Sequence, residues 1–360
     1  MTGTVVQIDR NDLRRATPEP LYPPPLAPGQ ARFRVDSFAL TANNVTYAAH
    51  GDDLHYWRFY PGAEGFGIVP VWGFGTVEES RAEGVAPGDR FYGYWPMATH
   101  AVLSPVKVSL RGFSDGAAHR DGLAPIYNNY QRWTGSPADE APQALFRPLY
   151  TTSFLLADRL SRGVRPEAVL MSSASSKTAL GLAKAIEGDG MRRIGLTSPR
   201  NRAFVEATGA FDQVLTYDEI DEAEAVSAAY VDFCGDPQIN GAVHAHFGDR
   251  LAMSIIVGDT RWDSDKTRAP LAGPAPEFFF APTYLVERLA ELGPAEFDRR
   301  LQLSWDAFVK FSRGWLHVVD GHGPDATIGQ WARLVDGSVD PAEGLMLSLW
   351  AESADGDAPA

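Results

Sequence analysis

The chain has 360 residues, of which 44% are hydrophobic, enough to bury the cores of two domains or of one large one. Its 32 Lys and Arg stand against 46 Asp and Glu, a net charge of −14 with no basic run, which argues against nucleic acid or an anionic membrane as a partner. The single cysteine, Cys234, excludes an internal disulfide framework and any cysteine-based metal cluster, while the lack of a signal-like start or of an apolar run near the roughly 20 residues of a spanning helix leads us to expect a soluble, cytoplasmic protein.

Up to about residue 125, short extended runs alternate with Pro and Gly, as in 31–40 (ARFRVDSFAL) and 67–77 (GIVPVWGFGTV), and this spacing predicts a β-rich, barrel-like domain. Its loops are dense in aromatic and amide side chains, among them Asn43, Tyr47, Tyr56, Tyr60, Trp72, Tyr94, Tyr127 and Asn128. A polar loop over 131–143 precedes a helical pattern over 144–162.

The most informative stretch comes next. Ala168 to Met171 is an apolar run of the kind a buried parallel strand shows, and Ala179, Leu182, Ala183 and Ile186 recur at helical spacing. Between them Ser172 to Thr178 forms a turn of small residues. A strand that feeds a helix through such a turn is where α/β proteins hold a diphosphate, on the free N–H groups of the helix start. Ser173, Ser176 and Ala179 stand where a dinucleotide fingerprint carries its small residues; Ser173, Ser175, Ser176 and Thr178 offer hydroxyls and Lys177 a charge. The same residues also suit a helix start capped by serine with no ligand, and both readings stay open on this stretch. A nucleoside-triphosphate loop fits poorly, since Met171 and Ser176 occupy its glycine positions.

A second apolar run, 193–197, ends in Thr197-Ser198-Pro199-Arg200 and leads into a helix over 202–208, which completes a βαβ unit. The end of the second strand in such units meets the adenosine ribose, with an acid for a free 2′-hydroxyl and a base for a 2′-phosphate. Thr197, Ser198 and Arg200 stand there without an acid, which favours NADP over NAD; alternatively Ser198 caps the helix and Arg200 is solvated. Further runs at 212–217, 230–235 and 251–258 continue the parallel sheet and place Gly235 and Gly258 at strand ends facing the cofactor crevice. His244 and His246 are split across a helix by their spacing and have no nearby third metal ligand. Phe278-Phe279-Phe280 point in different directions, 297–310 reads as an amphipathic helix, 344–350 as a closing strand, and 351–360 as a small, acidic end with little order.

Several of these pieces resemble the medium-chain dehydrogenase/reductase superfamily. Val85-Ala86-Pro87-Gly88-Asp89-Arg90-Phe91-Tyr92-Gly93 is similar to its "kxGDrVyg" strand, Pro61-Gly62-Ala63-Glu64-Gly65-Phe66-Gly67 to its "pGHExxG" turn, and Tyr230-Val231-Asp232-Phe233-Cys234-Gly235 to its "DvvfDcvG" strand. The segments RPLYTTSFLL, SSASSKTALGLA, GLTS with Asn201, and FFFAP resemble a functionally uncharacterised bacterial branch. The resemblance implies an α/β chain: a GroES-like β-rich substrate domain over 1–145 and 300–360, and a doubly wound Rossmann NADP-binding domain over 146–299. It also implies a homodimer. Ala63 stands in place of the histidine that binds catalytic zinc in that superfamily, and 41–47 hold no cysteine, so the likeness is to the zinc-independent quinone and enone reductases, with no metal expected.

A zinc-free reductase needs a hydride donor and a hydrogen-bond donor where negative charge develops. Tyr47 falls in Asn43-Asn44-Val45-Thr46-Tyr47-Ala48-Ala49-His50-Gly51, which resembles the "NxxDxYxRxG" segment of quinone reductases with Val45 and Ala49 departing from it. Tyr47, Tyr94, Tyr127 and Asn128 are thus the catalytic candidates. Two functions follow: an NADPH-dependent reductase of a small apolar carbonyl, enone or quinone, or a non-redox protein on the same fold, a binding partner, lyase or isomerase, whose serine turn marks an altered or lost dinucleotide site.

Overall fold

The computed structural model describes residues 2–163, 165–257 and 271–352, and within it the chain divides into two compact units. One comprises the residues up to Leu145 with those from His317 on; the other is Phe146–Leu316. The second boundary therefore lies at 316/317, not at 299/300. The helix Pro294–Ser312 belongs to the second unit because its aromatic face packs there: Phe308 stacks on Tyr150 at 4.5 Å, and the Tyr150 hydroxyl donates to the Ser304 carbonyl at 2.9 Å.

The first unit is β-rich. Its larger sheet runs in the order His317–His322, Glu343–Ser348, Ala31–Leu40, Pro70–Ser80, Arg90–Pro96, Asn129–Arg132, Gly112–Asp115, Pro105–Ser109, and His100–Leu103 also pairs with Ala31–Leu40. A three-stranded sheet is built around Gly3–Asp9. The Ala31–Leu40 strand buries Phe33, Val35 and Phe38 on an interrupted two-residue rhythm, with register shifts at Arg32/Phe33 and Val35/Ser37 that bend it around the core. Phe33 meets Trp95 at 5.2 Å and Phe113 at 5.7 Å, and Phe113 stacks on Tyr130 at 5.0 Å.

In the second unit six strands pair in parallel in the order Gln213–Thr216, Arg192–Thr197, Ala168–Met171, Ala228–Asp232, Leu251–Val257, Glu277–Phe279. This is the Rossmann order, and chain direction across the sheet reverses between Ala168–Met171 and Ala228–Asp232. All four residues of Ala168–Met171 are buried, as a strand covered on both faces requires. The helix expected from 144 begins earlier, at Glu140, because a 3-10 turn over Pro137–Asp139 leads directly into it. Gly258 and residues 353–360 lie outside the described residues.

Gly73 fixes how closely the strands Ala31–Leu40 and Pro70–Ser80 approach. A Cβ there would lie 2.2 Å from the Ser37 carbonyl oxygen and 2.6 Å from the Phe38 Cα, both backbone atoms that cannot rotate away. Gly73→Ala should cost roughly 3 kcal/mol or more by overpacking. Urea unfolding monitored by tryptophan fluorescence measures it, and an unchanged midpoint would contradict this packing.

Candidate functional site

The serine turn leaves the sheet where its direction reverses, the place at which open α/β sheets bind ligands. Ser173 adopts φ +46°, a left-handed conformation that glycine adopts freely and other residues only at a cost of order 1–2 kcal/mol. Its N–H donates to the Tyr217 hydroxyl at 3.1 Å, and the next N–H, of Ala174, donates to the Leu196 carbonyl at 3.0 Å. The turn is thereby pinned to the ends of the neighbouring strands. Ser176 is the N-cap of the helix Lys177–Ala185: its hydroxyl oxygen accepts the Ala179 N–H at 3.2 Å. The cap is real, and it leaves the hydroxyl proton available to a ligand. Ser153 donates to the Thr178 carbonyl at 2.8 Å, and Gly181 admits the Ser153 side chain where a Cβ would come within 2.7 Å of its Oγ.

The second turn is tied to the first. Asn201 donates from Nδ2 to Ser175 Oγ at 3.0 Å, so the acceptor side of that hydroxyl is used and its proton is left to point elsewhere. Thr197 is buried and its carbonyl accepts the Tyr217 N–H at 3.2 Å; Ser198 opens the short turn Pro199–Asn201 without a side-chain cap bond, and Arg200 is exposed. Asn201 and Tyr217 are site residues that periodicity cannot reveal.

Ser172 and Asp232 complete this end of the sheet. The Ser172 hydroxyl accepts the N–H groups of Phe233 (2.8 Å) and Cys234 (3.1 Å) and donates to Asp232 Oδ1 at 2.7 Å. Gly235, at φ +67°, donates its N–H to the same oxygen at 3.1 Å.

In the first unit the structure brings Tyr47, Tyr94 and Tyr127 together. Ring centroids lie 5.6 Å apart for Tyr47 and Tyr94, 4.7 Å for Tyr94 and Tyr127, and 6.3 Å for Tyr47 and Tyr127. Tyr56 joins them, its centroid 4.4 Å from that of Tyr47 and its hydroxyl 3.3 Å from that of Tyr127, and Trp72 lies 5.0 Å from Tyr94. The Tyr47 oxygen accepts from Asn43 Nδ2 at 2.6 Å and Trp72 Nε1 at 3.4 Å. Burial, and secondarily Tyr56, hold its ionisation well above the usual phenol range despite those two donors, so Tyr47 is protonated at neutral pH. The Tyr94 hydroxyl, fully buried, has no hydrogen-bond partner among the described residues.

Asn128 is not in this cluster: its Oδ1 accepts from Arg120 Nη1 at 3.4 Å. Arg120 pairs with Asp115 at 3.0 Å, both side chains about 1% exposed, and lies 4.6 Å from the centre of the Tyr60 ring. It also donates to the Tyr130 hydroxyl at 3.2 Å, and the hydroxyls of Tyr60 and Tyr130 both donate to the Tyr94 carbonyl, at 2.6 and 2.7 Å.

The two histidines are spent on structure. His244 bonds the Ala272 carbonyl and Ser254, and His246 the Ala223 carbonyl. Among the described residues no group of three or more His, Cys, Asp or Glu is placed to hold a metal. An open cavity of about 220 Å³ elsewhere in the second unit is lined by Arg159, Arg162, Tyr284 and Arg288, whose guanidinium groups are already paired with Glu277, Asp158 and Glu291.

A family model described as "Protein of unknown function (DUF2855)" matches residues 38–340. The chain belongs to this family. No curated protein matches it. Solved structures of similar fold include CurA from Vibrio vulnificus (12% identity, TM-score 0.62, 99% of this chain and 100% of that one). The mycobacterial protein Rv1454c complexed with NADPH is another (15%, 0.55, 96% and 99%). A third is a mutant form of the enoyl thioester reductase from Candida tropicalis (11%, 0.58, 97% and 100%). At these identities the likeness carries the fold, so this DUF2855 chain pairs a GroES-like β-rich unit with a Rossmann unit.

If the Ser173 backbone angle is what the turn needs, Ser173→Gly should leave stability unchanged or raise it by up to about 1 kcal/mol, whereas Ser173→Val should lower it by about 2 kcal/mol or more. Denaturant midpoints of the two variants decide it, and equal losses would show that the hydroxyl matters and the angle does not.

Proposed function

We propose that this chain is an NADPH-dependent, zinc-independent reductase of a small apolar carbonyl, enone or quinone. The observation that carries the reading is Ser173: the left-handed turn that a dinucleotide fingerprint obtains from glycine is present at the sheet's switch point and is held by a serine. The surroundings fit a diphosphate. The start of the helix Lys177–Ala185, the hydroxyl protons of Ser175 and Ser176, and the Lys177 ammonium supply donors and positive charge. Arg200, at the end of the second strand with no acid in Thr197-Ser198-Pro199-Arg200, suits a 2′-phosphate and favours NADPH over NADH. The similarly folded Rv1454c was solved with NADPH.

When bound, NADPH would supply the hydride. The protein's part is to place a proton donor where negative charge develops on the substrate oxygen. Tyr47 suits that role best: two N–H groups occupy its oxygen and would stabilise the phenolate it becomes, so its proton is what it has left to give. The rings of Tyr56, Tyr94, Tyr127 and Trp72 around it favour a flat, apolar substrate and exclude water. Asn128, held by Arg120, acts in this reading by positioning the adjacent Tyr127. Ala63 in place of a zinc-binding histidine, and a single cysteine, suit chemistry without zinc. A homodimeric, cytoplasmic enzyme with a small-molecule substrate completes the proposal; among the described residues no helix is long and apolar enough to cross a membrane.

Fluorescence titration tests the cofactor site. Ser176→Asp keeps a good N-cap yet sets a carboxylate against the phosphates, so it should abolish NADPH binding with little change in melting temperature. Arg200→Ala should weaken NADPH roughly ten- to a hundredfold and leave NADH nearly unchanged. A folded Ser176→Asp protein that binds NADPH as the parent does would overturn the reading.

Tyr47→Phe tests the proton donor, using whichever of a panel of quinones and enones the parent reduces. It should lower kcat by about a hundredfold while NADPH affinity stays as it was. An unchanged kcat would remove Tyr47 from the chemistry.

A further inference from the structure

Tyr47 is 3% exposed, and the rings of Tyr56, Tyr94, Tyr127 and Trp72 close around it. A phenol so enclosed can give its proton to a substrate once, but water has little access to give it back. The proton has to return through a neighbour. Two groups that touch its oxygen, Asn43 Nδ2 at 2.6 Å and Trp72 Nε1 at 3.4 Å, stabilise a phenolate but hold their own protons far too tightly to transfer them.

Tyr127 is placed to do so. Its ring lies edge-on to that of Tyr47 at 6.3 Å, its hydroxyl is 3.3 Å from that of Tyr56, and it is half-buried, so of Tyr47 and Tyr127 it is the one that meets solvent. Burial raises the ionisation of Tyr47, and a hydrogen bond with the Tyr127 hydroxyl acts in the opposite direction, which sets that hydroxyl against the Tyr47 oxygen. Burial likewise keeps Tyr127 protonated at neutral pH. Transfer between two phenols exchanges one O–H bond for another of the same kind, so it is close to isoenergetic. In the Tyr56–Tyr127 pair either hydroxyl can be the donor, so Tyr56 can turn its proton toward Tyr127 when that oxygen is left negative.

We propose that Tyr127 returns a proton to Tyr47 after each turnover and that Tyr56 supports the transient Tyr127 phenolate, an inference that rests on the reductase reading above. The substrate gains a hydride from NADPH at carbon and the Tyr47 proton at oxygen. The Tyr127 O–H bond then breaks as that of Tyr47 re-forms, and Tyr127 recovers its proton from water. One hydride and one solvent proton are thus added in each turnover.

Steady-state reduction of 1,4-naphthoquinone and cyclohex-2-enone by NADPH tests the path, with imidazole as a diffusible acid that can stand in for the lost phenol. Tyr127→Phe keeps the ring and should lower kcat about tenfold, while KM for NADPH stays within about twofold of the parent. Added imidazole should restore most of that loss and leave the parent unchanged. In a Tyr47→Phe background the same substitution should lower kcat by less than about twofold, because no phenolate is left to refill. Tyr56→Phe should give a smaller loss, about threefold, that imidazole also restores. An unchanged kcat in a folded Tyr127→Phe protein would overturn the proposal, as would a loss that imidazole does not touch and that persists in full in the Tyr47→Phe background, the mark of ring packing alone. Were Tyr127→Phe not to fold, an unchanged kcat in Tyr56→Phe would overturn it. An unaltered protein that oxidises no NADPH with either probe would instead remove the reductase reading beneath it.

Discussion

The Ser172 hydroxyl joins the two middle strands of the parallel sheet at the point where its direction reverses. It receives two backbone N–H groups from the turn after Asp232 and gives its own proton to that carboxylate, so all its bonding capacity is used inside a buried joint. Both neighbouring features lean on this joint. On one side the chain leaves it into the left-handed Ser173; on the other it leaves through Gly235, also left-handed. An apolar residue at 172 would take one donor from Asp232 and the Ser172 acceptor from the Phe233 N–H, which is why a serine stands at the end of an otherwise apolar run.

A comparable polar keystone organises the phenols of the first unit. The buried Arg120–Asp115 pair would be costly alone, but Arg120 also reaches Tyr130 and Asn128 and lies over the Tyr60 ring. Through Tyr130 and Tyr60 it reaches the Tyr94 carbonyl, and through Asn128 the segment that carries Tyr127. Rigid placement of Tyr94 and Tyr127 beside Tyr47 thus follows from one guanidinium that itself touches none of the three hydroxyls by a described bond.

The sequence reading reached the fold because the fold is written in periodicity. Apolar runs such as Ala168–Met171, alternating with helical spacing, dictate a parallel sheet, and the Pro- and Gly-punctuated runs before residue 125 dictate the β-rich unit. The site was legible only in part. Ser173 lies where a glycine was to be expected, and nothing in a serine announces φ +46°; the surrounding strands impose it through Tyr217 and Leu196. Asn201 on Ser175, Asp232 on Ser172 and Arg120 on Asn128 are side-chain bonds between segments remote in sequence, and such bonds leave no local pattern. The boundary at 316/317 escaped for the same reason: whether an amphipathic helix at Pro294–Ser312 closes one unit or the other depends on the partner of its aromatic face.

Amide hydrogen exchange, with and without saturating NADPH, tests most directly whether the serine turn and its joint hold a dinucleotide. Bound cofactor should slow exchange in the peptides that cover Ser172 to Thr178 and Phe233 to Asp236, while the strand Ala31–Leu40 of the first unit serves as an internal reference that does not change. Identical exchange in those two peptides at saturating NADPH would contradict the account.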